Sequence, residues 1–344
     1  MWWTADQAAE HLGVKRKTLY TYVSRGWVRS RGAGGRQRRY LSDDVRELGR
    51  RASEARGRSA VAGAAMRWGP PVLTTELSAV DPDGPYYRGR SALSFSEAHV
   101  PLEAVAAHLW GRPFAGLPAP VELAGGAPPA LADAASLALL LHPPIDEEAA
   151  LSVVLAAVAW WRGREAGEGM ASARLGRALG AAGHPIDAVV ALCVDHELNA
   201  STFAARVAAG TDADLGACLR AALATFGGPR HGAASDALEV ALDGGGPLGP
   251  AAFGHPLYPN GDPRAERLFE LADGRPAWAD EGSGPPNLDA GLVAVRRAWG
   301  LPCGSAAALF LVGRVVGWCA HVAEQRGQPM IRPRAHYVGP ALSG

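Results

Sequence analysis

Cysteine is scarce in this 344-residue chain: Cys193, Cys218, Cys303 and Cys319 are the only four, and no two form a CxxC pair. That spacing excludes a disulfide framework and a thiolate zinc site, and leaves four reduced core residues of a cytoplasmic protein as the expectation. Aromatic residues are few as well, 7% against 48% hydrophobic overall, so Ala, Leu and Gly must supply much of the core. Small apolar side chains in that proportion favour closely packed helices over sheets. The most apolar stretch, Ala149 to Trp161, is shorter than the roughly 20 residues of a membrane span and is flanked by Glu147, Glu148 and Arg162. It reads as a buried helix. The N-terminus has no basic-then-apolar signal pattern. No repeat of about 20–50 residues, no GxxxxGK[ST] and no HExxH occurs, which sets aside solenoids, phosphate-binding loops and zinc peptidases.

Net charge is also absent, with 34 Lys+Arg against 34 Asp+Glu, but the average hides an asymmetry. Residues 1–60 hold 14 basic and 6 acidic side chains, a balance of +8, which leaves 20 against 28, or −8, for the remainder. A basic N-terminal module joined to an acidic body indicates two different jobs, and the length allows more than one domain.

The first residues parse as short helices. Thr4-Ala-Asp-Gln7 fits a capping box, in which Thr4 caps the helix and Gln7 reaches back. A helix carrying Ala8, Ala9 and Leu12 on one face stops at Gly13, and a second runs from Lys15 to Ser24 with Gly26 beyond its end. Trp27 to Tyr40 reads as a two-stranded wing around Gly32-Ala-Gly-Gly35, and Ser42 caps a third helix. Two short helices joined by a tight turn are a helix-turn-helix signature. The second helix presents Lys15, Arg16, Lys17, Tyr20 and Thr21; the wing adds Arg29, Arg31, Arg36, Arg38 and Arg39. Such a set suits a major groove and its phosphates. The Ala-Ala-x-x-Leu-Gly-Val run before a basic Thr-Leu-Tyr helix resembles the MerR/excisionase type of winged helix. A structural docking role with a solvated basic face is the other reading of the same residues.

Past a Gly/Arg/Ser-rich linker the body is helical, interrupted by Pro113, Pro118–Pro120, Pro128–Pro129, Pro143–Pro144 and Gly183–Pro185. Tyr86-Tyr87-Arg88-Gly89-Arg90 reads as a short strand or turn, and Leu288 to Gln325 as one or two apolar helices. Two histidines lie among polar, turn-forming residues, in Asp195-His196-Glu197-Leu198-Asn199-Ala200-Ser201-Thr202-Phe203 and in Gly228-Pro229-Arg230-His231-Gly232. A third follows in Phe253-Gly254-His255-Pro256, then Asp262-Pro263-Arg264, Pro286-Asn287-Leu288-Asp289, Arg314 in Gly-Arg-Val-Val-Gly-Trp and Arg332 in Arg-Pro-Arg. They supply one carboxylate that can act as a base, imidazoles that can donate or accept near neutral pH, and Arg forks that match carboxylates.

From about residue 70 onward these motifs, in this order, resemble the citrate synthase family. The resemblance implies a mainly α protein: a winged helix-turn-helix over residues 1–55, a linker over 56–70, and a synthase-like body over 71–344 with a reduced small subdomain at about 230–290. It implies an acyltransferase that joins acetyl-CoA, or propionyl-CoA, to oxaloacetate. Asp289 would take the methyl proton, His231 would bond the enol oxygen, and His255 would polarise the keto carbonyl. His196, Arg264, Arg314 and Arg332 would bind the keto acid, with Arg332 reaching the partner's site in a homodimer. The coenzyme A thioester is a substrate, and no metal or other cofactor is implied.

Four departures from the family pattern stand out. Pro256-Leu257 follows His255, Gly232-Ala-Ala-Ser235 replaces the usual run after the second histidine, only 25 residues separate Arg264 from Asp289, and Ala290-Gly291-Leu292 follows Asp289. In the family the small domain carries much of the coenzyme A contact, so the shortened segment bears on thioester recognition, whereas the keto-acid residues are all present. A regulator that uses the body as a metabolite sensor is therefore the alternative expectation.

Overall fold

The computed structural model describes residues 1–33, 37–49, 72–335 and 337–339. The chain divides into two compact units, Met1–Thr74 and Thr75–Gly344.

In the first unit Thr4 and Gln7 form the capping box at the start of α1 (Ala5–Leu12), and Gly13 ends it in the left-handed region at φ 64°. Helix α2 (Arg16–Ser24) follows Lys15. Strand β2 (Ser30–Gly32) pairs antiparallel with β3 (Arg38–Leu41), the wing expected from the sequence. A further strand, β1 (Trp2–Trp3), adds to the other edge of β3. A third helix, α3, runs through residues 42–49. Ala8, Ala9, Leu12, Leu19, Val28, Tyr40 and Val45 close one small core.

The second unit opens with an antiparallel sheet, β4 (Ser78–Asp81), β5 (Gly84–Tyr87) and β6 (Arg90–Ser91). Among the described residues twelve α-helices follow, with two short 3-10 turns at Pro250–Ala252 and Ala277–Asp280. They are α4 (Ala92–Glu97), α5 (Leu102–Trp110), α6 (Leu131–Leu141), α7 (Glu147–Trp161), α8 (Ala171–Leu179) and α9 (Ile186–Ala191). Then come α10 (Ala200–Ala209), α11 (Leu215–Phe226), α12 (Ala234–Gly244), α13 (Pro263–Leu271), α14 (Leu288–Ala298) and α15 (Ser305–Gln325). The apolar run at 149–161 is the buried helix α7, started by the Asp146 side chain on the Ala149 amide. A second apolar helix is longer. By length and composition α15 could cross a membrane, but 94% of its most apolar window is buried inside the protein. Helices α5, α7, α9, α10, α11 and α14 all pack on it. Leu309, Leu311, Val312, Val315, Val316, Trp318 and Val322 are each at most 1% exposed, and each such burial contributes about 1.5–3 kcal/mol before entropy is set against it.

Gly313 and Gly317 explain how α15 comes so near its neighbours. A Cβ on Gly313 would lie 2.6 Å from the Val190 carbonyl oxygen and 2.7 Å from the Cys193 Cβ. One on Gly317 would overlap the Val194 carbonyl. These two glycines, four apart on one face, let the helix backbone touch the turn that carries Asp195 and His196. One expectation for the cysteines is corrected. Cys193, Cys218 and Cys319 are buried, but Cys303 is exposed because it sits in the turn between α14 and α15.

Candidate active site

Asp262 organises one wall of the site. Its side chain caps α13, accepts from the Arg264 amide, and grips the Arg264 guanidinium through Nε at 3.0 Å and Nη2 at 2.7 Å. The same carboxylate accepts from the Leu288 amide at 3.2 Å, so one acid joins the starts of α13 and α14. Gly291 lets those helices close up, since a Cβ there would meet the Leu268 side chain at 2.8 Å. The loop bearing His255 is stitched to the segment before Asp289. The Gly254 amide donates to the Pro285 carbonyl at 2.6 Å and the Asn287 amide to the Ala252 carbonyl at 3.1 Å.

Asp289 occupies the first turn of α14, after Asn287, whose side chain caps the helix. Its Oδ1 is buried and accepts no hydrogen bond from the described residues. Burial pushes the carboxyl from its usual 3.8 up to about 7, and the nearby Arg264 and Arg314 guanidiniums only partly oppose that rise. A carboxylate with this value is half ionised at neutral pH, which is where a general base works best.

The opposite wall is α15 and the turn it presses on. Arg314 is 1% exposed and donates from Nε to the Cys193 carbonyl at 2.9 Å. Its buried Nη1 has no hydrogen-bond partner among the described residues. A buried cation with an unused fork edge is costly unless an anion completes it. Asp195 is anchored by the Ser78 hydroxyl and by His321 Nε2 at 3.1 Å. Burial alone would raise its carboxyl, but His321, Arg314 and Ser78 outweigh burial and hold it below the ordinary range. The next residue, His196, is 6% exposed; its Nε2 lies 2.9 Å from the Tyr258 hydroxyl and its ring meets His255 edge-on at 5.1 Å.

His231 lies beneath Phe226 and Phe310, at ring distances of 5.6 and 5.9 Å. Gly232 is required there, because a Cβ would enter the Phe226 ring. The His231 Nε2 sits 2.7 Å from the Ser201 hydroxyl. Trp318 donates to that same oxygen at 3.2 Å, and Asn199 Oδ1 is 2.8 Å away. Burial lowers His231 to about 4, helped by Arg314, and lowers His255 to about 4, helped by Arg264. His196 is likewise pushed well below its usual value by burial, then Arg264 and His255. At pH 7 all three rings are neutral, so they donate or accept hydrogen bonds without carrying charge. The Leu257 amide donates to His255 Nδ1 at 3.2 Å, so the neutral ring carries its proton on Nε2.

Six of the seven body residues singled out from sequence therefore share one electrostatic environment: His196, His231, His255, Arg264, Asp289 and Arg314. Arg332 does not join them within this chain and lies exposed past α15. Arg264 is already paired, by Asp262. Ser201, Trp318, Tyr258 and Asp262 carry positions in the site that sequence reading left without a role. In the first unit Lys15, Lys17, Tyr20 and Arg38 are exposed. Arg16 is exposed but ion-paired to Asp6, Arg29 is held by Asp44, and Arg36 falls outside the described residues.

The family model described as "Citrate synthase, C-terminal domain" matches residues 129–245 and 251–334, more than half of the chain. The chain belongs to the citrate synthase family. A helix-turn-helix domain model matches residues 2–52. Among curated relatives, citrate synthase 2 of Bacillus subtilis (strain 168) is 34% identical over 182 residues, covering 43% of this chain and 49% of that protein. A 2-methylcitrate synthase of Shewanella oneidensis is 31% identical over 188 residues, covering 45% and 50%. The chain thus spans about half the length of the curated relatives it matches. Citrate synthase from Thermotoga maritima superposes with a TM-score of 0.61 at 23% identity, covering 80% of this chain and 96% of that one. A ternary complex of the Thermoplasma acidophilum enzyme with carboxymethyl coenzyme A and oxaloacetate gives 0.60 at 23%, covering 79% and 95%. At that identity the likeness is one of fold. The mainly α architecture of this citrate synthase family member, with its N-terminal helix-turn-helix, agrees with the sequence expectation.

Proposed function

We propose that the body condenses acetyl-CoA, or propionyl-CoA, with oxaloacetate and releases coenzyme A. The observation that carries this reading is Asp289: a buried carboxyl poised near pH 7, with an unpartnered oxygen, in the field of two guanidiniums. Asp289 takes a proton from the carbon next to the thioester carbonyl, and the C–H electron pair moves toward the thioester oxygen. His231 donates to that oxygen from Nδ1. For this the Ser201 hydroxyl must turn its single proton from Asn199 Oδ1, at 2.8 Å, to His231 Nε2, at 2.7 Å, while its oxygen goes on accepting from Trp318. The enolate carbon attacks the keto carbon, the keto oxygen takes the proton from His255 Nε2 to become a hydroxyl, and the proton held by Asp289 returns through water to restore the His255 imidazole. Water then cleaves the thioester, which gives the acid and the coenzyme A thiol.

Arg314 would bind a keto-acid carboxylate through the unused edge of its fork. Arg264 would offer Nη1, its Nε and Nη2 being held by Asp262. His196 would donate to the same substrate. By family resemblance Arg332 would serve the partner's site, which makes the working unit a cytoplasmic homodimer. The region at about 230–290 would be the small subdomain and would close over the substrates to exclude water. No metal or redox cofactor enters this scheme. Mass analysis of products from purified protein, oxaloacetate and each acyl-CoA tests the reading. Citrate or methylcitrate from wild type, with none from Asp289→Ala, is expected; product formation by the variant near the wild-type rate would overturn the assignment.

A second reading is favoured by one observation, the helix-turn-helix unit with its exposed basic helix. The body would then sense oxaloacetate or an acyl-CoA for a DNA-binding regulator. A mobility-shift series in rising salt tests it, and failure to form a sequence-preferring complex at low salt would remove it.

A further inference from the structure

Tyr258 is 2% exposed and lies between three groups assigned above to the keto acid. Its hydroxyl is 2.9 Å from His196 Nε2, its ring meets His196 at 5.6 Å and His255 at 5.0 Å, and the Arg264 guanidinium covers it at 5.5 Å. Two successive turns hold it there: the Tyr258 amide donates to the His255 carbonyl at 2.9 Å, and the Gly261 amide to the Tyr258 carbonyl at 3.1 Å. A buried phenol O–H needs an acceptor. Among the described residues the acceptor within reach is His196 Nε2. Burial also raises the phenol, so it keeps its proton throughout the physiological range.

We infer that Tyr258 is a positioning residue that donates to His196 Nε2 and thereby places the imidazole proton on Nδ1, the nitrogen left to donate to the keto acid. A neutral imidazole has one N–H, so whichever nitrogen accepts decides which one can donate. With the opposite tautomer, Nε2–H would point at a phenol whose own proton has no acceptor, and Nδ1 would meet an electron-rich carbonyl or carboxylate lone pair to lone pair. Tyr258 also fixes the angle between the His196 and His255 rings, which keeps both donors aimed at one substrate. The inference rests on the proposed synthase reading for its substrate, but the tautomer itself does not.

Tyr258→Phe retains the ring packing and removes only the hydroxyl. The test combines steady-state kinetics with 15N imidazole spectra of full-length protein, the His196 signals being assigned by their loss in His196→Gln. In wild type, His196 is expected as the Nδ1–H tautomer. In Tyr258→Phe that signal shifts toward Nε2–H, the oxaloacetate KM rises about tenfold, the size of one hydrogen bond, and the acyl-CoA KM stays within about twofold. An Nε2–H tautomer in wild type, or an unchanged tautomer and KM in the variant, overturns the inference. So does a uniform loss in every kinetic constant accompanied by a lower Tm, which would mark Tyr258 as packing alone. If wild type forms no product, the synthase reading fails separately. The wild-type tautomer and the oxaloacetate-induced thermal shift of the two proteins then still decide the role of Tyr258.

Discussion

Replacing Asp289 with Asn should stabilise this protein while abolishing its chemistry, and the gain should depend on pH. The carboxyl rises from 3.8 to about 7 on folding because burial penalises its charge. The folded state therefore holds this proton more tightly than the unfolded chain, and stability falls as pH climbs from about 4 to about 7. The shift of roughly 3 units corresponds to at most about 4 kcal/mol at pH 8, and to about 1.5 kcal/mol at pH 5. An Asn amide brings hydrogen-bonding needs of its own, so about half of that gain is expected to survive. For a body of this size about 2 kcal/mol corresponds to a Tm rise of at least 4 °C at pH 8, shrinking toward pH 5. Thermal unfolding of both proteins at the two pH values is the assay. A gain equal at both, or a loss at pH 8, would mean that the carboxylate is ionised and well partnered, and the base assignment would fall.

Ser201→Ala leaves His231 Nε2 without its hydroxyl; kcat should fall about tenfold with the oxaloacetate KM within about twofold, measured by steady-state kinetics. Arg314→Lys keeps the charge but loses the fork, so the thermal shift induced by oxaloacetate should vanish and its KM should rise about 100-fold. Gly317→Ala forces a methyl into the Val194 carbonyl and should cost at least about 2 kcal/mol in urea unfolding; a neutral result would contradict the close approach of α15.

The parts of the molecule that sequence made legible are the local ones. Thr4, Gln7 and Gly13 bound α1 because capping and left-handed termination depend on residues a few positions apart. Asn199 starts α10 for the same reason. Strand β1 was not legible: Trp2 and Trp3 are strand residues only because Tyr40 and Leu41 offer an edge. The motif order brought His231, His255 and Asp289 together as candidates, but not their supports. Ser201 meets His231 across 30 residues, and Tyr258 meets His196 across 62. No spacing rule links such pairs. The Asp-Pro-Arg motif did hold a readable signal, an N-cap acid before a proline at the first helical turn, yet the grip of Asp262 on Arg264 appears only when α13 and α14 share a start. The exposure of Cys303 reflects a turn that apolar composition on both sides disguised.

The most direct measurement is the rate of thiol appearance from acetyl-CoA, and from propionyl-CoA, with and without oxaloacetate, for wild type and Asp289→Asn side by side. Oxaloacetate-dependent release by wild type, lost in the variant, is the predicted result. Release that ignores oxaloacetate, or that persists when Asp289 is replaced, would contradict the account.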